Sequence, residues 1–366
     1  MVKRYLQSRL RKRLRTWHWR LACIVQVCSF TDMWLRTSVV VCVALTGYCL
    51  TVSAQSQKSD VFGFLRPTIQ FSADDRRQLD ERSVVLKILP ASGQELATMV
   101  AASLNIGADA FVAKVRNIVA LKKGPHVPQI DKFSPTPVIE DLRQLTLDDS
   151  DVNAIERCRP NRCALKLNTE EIERLHRASA SRTSVPNDTV QQEFRQIVLE
   201  RTKHFLASGT QDTKAQFLTL MQNSPFVLRT PQLANYLERY PAAPLPGAES
   251  FLYWSKETYA WNPMITVTQV TILRSSGDGP LPEVLVISRD IFSTRYTGGS
   301  LVLSSLVRDP AAPKQQRYLV YVNRTWVDGI RALWRPLVEY RVKTQAKKIF
   351  AGVRDRLEQT SAVSTE

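Results

Sequence analysis

The sequence is poor in the residues on which common catalytic and metal sites depend. It has four histidines in 366 residues, and His126, His176 and His204, the three beyond residue 54, are not paired at a metal-ligand spacing. It also lacks a nucleophile elbow (G-x-S-x-G), a P-loop, a G-x-G-x-x-G fingerprint, an H-E-x-x-H motif and a C-x-x-C-H motif. These absences disfavour a histidine-based triad or metal centre, and the sequence predicts neither a metal nor a cofactor.

Cysteine is scarce beyond the N-terminal region. Four of the six cysteines lie at or before residue 49, which leaves Cys158 and Cys163 in the segment Cys-Arg-Pro-Asn-Arg-Cys. Two cysteines around a Pro-Asn turn favour a short-loop disulfide in an oxidising compartment. A metal site is the alternative, but two thiols would need further ligands and only three histidines remain. We therefore predict the disulfide.

Positive charge is in excess but is not clustered outside the N-terminus. The formal net charge is +16, and residues 1–54 contribute eight of these charges, so the other 312 residues carry +8. Positive charge spread in this way is typical of a solvated surface, whereas a phosphate-binding face has a clustered patch. Nucleic acid is therefore not a predicted partner.

The N-terminal region has the layout of an export signal. An apolar run over Thr37–Val52 precedes Val52-Ser53-Ala54, a small-residue site that resembles a signal cleavage site. We interpret Met33 as the true start, residues 1–32 as upstream sequence and the protein as periplasmic or secreted. The alternative retains residues 1–54 and anchors the protein in the inner membrane through residues 34–52, although the apolar run is shorter than the roughly 20 residues of a usual span. Membrane contact is expected only through this segment, if it is not cleaved.

The rest of the chain alternates between strand-like and helix-like patterns. Residues 55–80 are polar and predicted to be loose, and residues 81–366 are predicted to form one domain. Its first part has two strands, at 83–89 and 95–105, and a helix at about 111–121 that Gly124 and Pro125 end. Residues of about 135–246 show only helix and loop signals and are predicted to form a helical insert. Five strands with short connections follow within residues 250–323, and short connections predict an antiparallel meander.

A long helix is predicted at the C-terminus. Thr325 is placed as its N-cap, with Asp328 as the capping partner three residues later. From Val327 to Leu357 apolar residues recur at steps of three and four, which predicts one stripe along the helix. Pro336 lies inside this pattern and is expected to kink or split the helix.

The order of these elements resembles the helix-grip, or START-like, superfamily of lipid- and hydrophobe-binding domains over residues 95–134 and 249–357. The chain also resembles an uncharacterised family of exported bacterial proteins through Cys158–Leu167, Pro246–Trp254 and Tyr318–Asn323. The START-like resemblance implies an α+β fold in which a curved antiparallel sheet wraps the C-terminal helix and encloses a cavity. The helical insert departs from the compact START-like pattern.

Tyrosine, tryptophan and arginine residues in the C-terminal third are the candidate ligand-binding residues, because such side chains can line a cavity in a curved sheet and hold a polar group there. The simpler alternative is that the aromatic residues only fill the core and the arginines face water. The candidates are Tyr253, Trp254, Arg289, Arg295, Tyr296, Tyr318 and Trp334.

Three functions fit the sequence. The first is an exported, non-enzymatic domain that binds a lipid or another hydrophobic small molecule. The second is a structural or interaction protein of the cell envelope with a filled core, whose helical insert forms the contact surface, although no particular protein partner is indicated. The third is a cyclase- or hydrolase-type enzyme of the kind found elsewhere on this architecture. An enzyme would need a titratable cluster in the cavity, and the sequence offers no obvious one.

Overall fold

The computed structural model describes residues 60–180, 186–258, 262–275, 282–310, 316–330 and 334–359. The predicted export signal lies outside these ranges. Within them the fold is α+β, as expected, and it is built on a single eight-stranded antiparallel open sheet. The strands are β1 (Val85–Ile88), β2 (Glu95–Leu104), β3 (Gln129–Lys132), β4 (Glu249–Glu257), β5 (Met264–Arg274), β6 (Val284–Ser293), β7 (Thr297–Arg308) and β8 (Arg317–Val327).

The strand order in the sheet is β1-β2-β8-β7-β6-β5-β4-β3. The meander of five consecutive strands, β4 to β8, is confirmed, and so are the two earlier strands β1 and β2. The short edge strand β3, which pairs with β4, has too few residues to show a pattern in the sequence. β2 pairs with β8 over ten residues, so the last strand in the sequence lies beside one of the first.

Helices cover the sheet on both faces. The first segment contributes α1 (Ala73–Asp80), and the connection between β2 and β3 contributes α2 (Ala108–Arg116) and α3 (Ile118–Lys122). The insert contains α4 (Asp149–Arg157), α5 (Thr169–Ala180), α6 (Pro186–Ser208), α7 (Lys214–Gln222), α8 (Pro225–Leu228) and α9 (Pro231–Arg239), and the chain closes with α10 (Arg335–Glu358). None of the helices in the described ranges combines the length and the apolar character needed to cross a bilayer.

Neighbouring residues of a strand point to opposite faces of the sheet. On the inner face, which includes Val100, Val270 and Leu319, the apolar side chains pack against α2, α3 and α10. On the outer face, which includes Met99 and Val320, they pack against α1 and the insert. The sheet is therefore the middle layer of three, and the insert belongs to a different layer from the terminal helix.

The prediction of a loose segment is wrong for residues 60–80. Phe62, Leu65, Ile69 and Leu79 are buried against the outer face, and Ser72 closes a capping box at the start of α1. These apolar residues are spaced irregularly through a polar stretch. They therefore gave no periodic signal, although the sheet offers them a large apolar surface.

The insert has the helical character that the sequence predicts. Asn168 caps α5, because its Oδ1 accepts from the Glu171 N–H at 2.9 Å and Glu171 Oε2 accepts from the Asn168 N–H at 2.8 Å. Cys158 and Cys163 are joined by the predicted disulfide, with their Cα atoms 4.3 Å apart. The disulfide closes the short connection after α4.

The predicted start of the terminal helix is wrong. Thr325 lies in β8, where it pairs with Leu96 of β2 and Ser300 of β7, so it is not an N-cap. It is paired with a strand on each side, and this long-range pairing outweighs the local capping pattern. The helix begins instead at Arg335. Pro336 occupies its first turn, where a residue without an N–H is tolerated, and so it does not kink the helix.

Candidate ligand cavity

A cavity of about 450 Å³ lies between the inner face of the sheet and the helices α2, α3 and α10. Strands β2 and β4 to β8 form its floor. The residues that line it all lie outside the insert. The described residues of the insert therefore contribute no wall to the cavity, because they cover the other side of the sheet.

One end of the cavity is apolar. Most of its strand residues carry aliphatic side chains, although Ser304 lies between Val286 and Tyr321. The helices α2, α3 and α10 add aromatic and aliphatic side chains above them. Phe350 of α10 is 7% exposed, and its ring lies 6.0 Å from the ring of Tyr321. The apolar end is formed by Val100, Phe111, Val115, Ile118, Val270, Val286, Leu319, Ile349, Phe350 and Val353.

The other end of the cavity is polar. It lies where β4 ends and β5 begins, and the register brings Thr268 opposite Asp290 and Ser300 opposite Thr325 at the same end of the sheet. Hydroxyl groups are frequent here, because threonine and serine occupy inward positions on neighbouring strands. The polar end is formed by Thr98, Lys122, Tyr253, Glu257, Thr266, Thr268, Asp290, Thr297, Ser300, Asn323 and Thr325.

Asp290 is the carboxyl group at the floor of the polar end. Thr268 donates to its Oδ1 and Ser300 to its Oδ2, both at 2.7 Å. Burial raises the pKa of Asp290, and the two hydrogen bonds offset only part of that rise. Both donors are neutral hydroxyls, so they hydrogen-bond the carboxyl group but bring no positive charge to it.

Two irregularities in the sheet border Asp290 and its partner Ser300. The first is in β6. Val267 and Thr268 are neighbours in β5, but their partners Phe292 and Asp290 are two residues apart, so Ile291 is an extra residue in β6.

The second irregularity is in β7, where the pairing shifts between Thr297 and Ser300. Gly299 lies in this shift and has a φ of +126°, which residues with a side chain rarely adopt. Bulges of this kind redirect side chains and are common next to functional sites.

Lys122, Glu257 and Tyr253 form a second polar group in the cavity. The Lys122 ammonium donates to Glu257 Oε1 and to the Tyr253 hydroxyl, both at 2.9 Å. Ser255 donates to the same Glu257 oxygen at 2.9 Å. Burial would lower the pKa of Lys122, but Glu257 and Tyr253 together outweigh it and raise that pKa well above its usual range. The pair is therefore charged and internally neutral.

Of the seven candidate residues from the sequence, only Tyr253 lines the cavity. Trp254, its neighbour in β4, points to the outer face, where its Nε1 donates to the Asp141 carbonyl at 2.8 Å. Tyr318 is also on the outer face, and its hydroxyl donates to Asp80 at 3.2 Å.

Two further candidates lie outside the faces of the sheet. Tyr296 lies at the turn before β7, where its hydroxyl accepts from the Asn262 N–H. Trp334 is 57% exposed at the start of α10.

Arg289 is buried on the outer face of the sheet. Its guanidinium carbon lies 4.8 Å from the ring centroid of Phe205 and 5.0 Å from that of Tyr240. Its Nε donates to Gln269 at 2.6 Å, and burial lowers the pKa of Arg289 to about 10. This residue therefore connects the sheet to the insert and takes no part in the cavity.

Arg295 is buried on the insert side of the sheet. It forms an ion pair with Asp151 of α4, with Nη2 2.5 Å from Oδ1, and both side chains are at least nine-tenths buried. The alternative that the two arginines face water is therefore wrong, and neither of these candidate ligand-binding residues lines the cavity.

The sequence offers no obvious titratable cluster, whereas the structure brings Lys122, Glu257 and Asp290 together in the cavity. The period of two in β6 could have located the carboxylate, because Val286, Ser288 and Asp290 share the inner face while Arg289 falls on the other. Lys122 lies at a helix C-terminus, where a cation is common without any functional role, and only the tertiary fold brings it beside Glu257.

Comparison with known proteins adds no assignment to this geometry. No protein-family model matches the sequence, and no curated protein or solved structure matches it significantly. In the part of the chain that the structure describes, histidine, cysteine, aspartate and glutamate side chains do not form any group of three that could hold a metal ion.

Proposed function

We propose that the chain binds a hydrophobic small molecule or lipid between the inner face of the sheet and the terminal helix. The main support for this proposal is the cavity, because its volume of about 450 Å³ falls within the roughly 300–1,000 Å³ of small-molecule sites. A structural protein with a filled core would place side chains in this space. The combination of an apolar and a polar end supports a ligand that is itself amphipathic.

The START-like resemblance is part of this proposal. A terminal helix that packs over one face of an antiparallel sheet, with a cavity between them, supports it. The insert is compatible with this architecture because it adds a layer on the outer face and leaves the layer that contains the cavity unchanged.

Native mass spectrometry of protein purified from its own host tests the binding proposal. We expect the wild-type chain to carry an extractable hydrophobic molecule. Ala346 lines the cavity, so Ala346→Trp should fill the space and abolish the bound mass. Lys347→Trp places the same side chain at the next, exposed position and should leave the bound mass unchanged. A wild-type protein that carries no such molecule would contradict the proposal. Equal amounts of the bound molecule in the two variants would also contradict it.

Export is also proposed, and the disulfide between Cys158 and Cys163 supports an oxidising compartment. Intact-mass measurement of the host protein, alkylated without reduction, should give a chain that begins at or near Gln55 and has no labelled thiol. A chain that begins at Met1 would favour the membrane anchor, whereas alkylation of Cys158 and Cys163 would argue against an oxidising compartment.

One observation favours a second candidate function. A buried carboxyl group with a raised pKa, facing a cavity, is also the arrangement of a general acid. In a cyclase- or hydrolase-type enzyme, Asp290 would donate the proton. The two functions differ in the fate of the ligand, because a binding protein returns its extracted ligand unchanged on prolonged incubation whereas an enzyme converts it.

A further inference from the structure

The ionisable groups of the cavity do not balance. Among the described residues that line it, Glu257 and Asp290 are the carboxylates and Lys122 is the ammonium. Lys122 is already engaged by Glu257, so this cation is not available as a contact partner for Asp290. The hydroxyls of Thr268 and Ser300 hydrogen-bond Asp290 but carry no charge. Among the described residues, no cation is therefore in contact with Asp290, and the charges of Lys122 and Glu257 act on its pKa in opposite directions.

An ammonium group would complete this arrangement. A carboxylate in a site of low dielectric is costly without a positive partner, and a ligand cation that lies against it removes that cost. An alcohol can exchange hydrogen bonds with Asp290 but cannot neutralise it. A ligand carboxylate would add a third negative group beside Glu257 and Asp290.

We infer that the ligand is a hydrophobic molecule with a single protonated amine, whose ammonium lies against Asp290 at the polar end while its apolar part lies among the aliphatic and aromatic side chains of the apolar end. This inference rests on the proposed binding function. The bulge at Ile291 keeps the carboxyl directed into the cavity while Ile291 and Phe292 pack on the outer face.

Binding of such a ligand is coupled to proton release. Burial favours the neutral form of Asp290 in the free protein, whereas an ammonium favours the carboxylate. Affinity for the amine therefore increases as the pH rises through the raised pKa of Asp290. Besides Asp290, the titratable groups among the described residues of the lining are Glu257 and Tyr253 of β4, Lys122 of α3 and Tyr321 of β8. The α10 residues of the lining are apolar.

Three probes with the same alkyl chain test the inference: decylamine, decanol and decanoic acid. Each is titrated calorimetrically into the full chain, the amine and the acid below their critical micelle concentrations and the alcohol below its solubility limit. At neutral pH we expect decylamine to bind at least about tenfold more tightly than decanol, and decanoic acid to bind most weakly. The positive net charge of the chain repels amines from its surface in general, so a preference for the amine reports on the cavity.

Asp290→Asn should remove the preference for the amine and its dependence on pH while decanol binding remains. Asp109→Asn, at an exposed acid of α2, is the matched control and should keep both. If Asp290→Asn does not fold, the pH profile of the wild-type chain alone decides, because decylamine affinity must rise with pH and decanol affinity must not. Equal affinities for amine and alcohol would overturn the inference and leave the binding function standing, whereas no binding of any probe would count against both.

Discussion

Replacing Phe350 by aspartate is expected to lower the free energy of unfolding by at least about 3 kcal/mol. The Phe350 ring is 7% exposed and packs near Tyr321 at the apolar end of the cavity. The substitution removes that packing and leaves a carboxylate there without a cation. The protein must then either bury the charge or release the last turns of α10. Denaturant unfolding, followed by its midpoint and slope, measures the loss.

Lys348 supplies the control for this experiment. It lies two residues earlier on the exposed side of the same helix, so Lys348→Asp adds the same carboxylate without burial and should change stability by no more than about 0.5 kcal/mol. The contrast separates docking of the helix from a general sensitivity of the helix to negative charge. Equal midpoints for the two variants would mean that α10 is not packed against the sheet in solution, and the binding proposal would lose its cavity.

Asp151→Ala is expected to destabilise the protein by about 3–5 kcal/mol, because it leaves the Arg295 guanidinium buried without a counterion. The ion pair joins the turn between β6 and β7 to the first turn of α4 with an Nη2 to Oδ1 distance of 2.5 Å. Asp151 also accepts from the Asp148 N–H at 3.4 Å, so the helix start is weakened as well. Thermal and denaturant unfolding both measure the effect.

Asp149→Ala is the matched control, since Asp149 is an exposed acid in the same helical turn and should cost no more than about 0.5 kcal/mol. A second variant, Asp151→Leu combined with Arg295→Met, replaces the buried pair by apolar side chains and should recover much of the lost stability. A similar small loss for Asp151→Ala and Asp149→Ala would show that water reaches Arg295, and that the insert is less tightly packed on the sheet than the structure describes.

Most of the fold could be predicted from the sequence because its elements have local signals. The alternation in β4 to β8 and the helical spacing in the insert each lie within one stretch of chain. The errors occur where contacts between distant segments of the chain determine the local structure. Thr325 carries a capping pattern, yet β2 and β7 extend the strand through it. The predicted apolar stripe of α10 faces the sheet from Val342 to Leu357, whereas Leu337, near the start of the helix, is 47% exposed. Helical spacing of apolar residues does not specify how far along the helix the partner surface extends.

The candidate site was predicted less well than the fold. The choice of aromatic residues and arginines followed residue type, whereas the face of the strand decides which side chains enter the cavity. Tyr253 and Trp254 are neighbours with similar chemistry, and only the former lies inside. The cluster of Lys122, Glu257 and Asp290 comes from a helix and two separate strands. It could not be assembled from the sequence before the sheet order and register were known.

The three-layer arrangement has a consequence for how this protein can change in evolution. Each strand from β4 to β8 serves two different environments, the cavity on one side and the packed insert on the other. Loss of a single residue within β6 ahead of Arg289 would exchange the two sides. It would turn the Arg289 guanidinium into the cavity and place the Asp290 carboxyl among the rings of Phe205 and Tyr240. Point substitutions can therefore adjust one side at a time, whereas changes in length are tolerable only in the turns and in the insert.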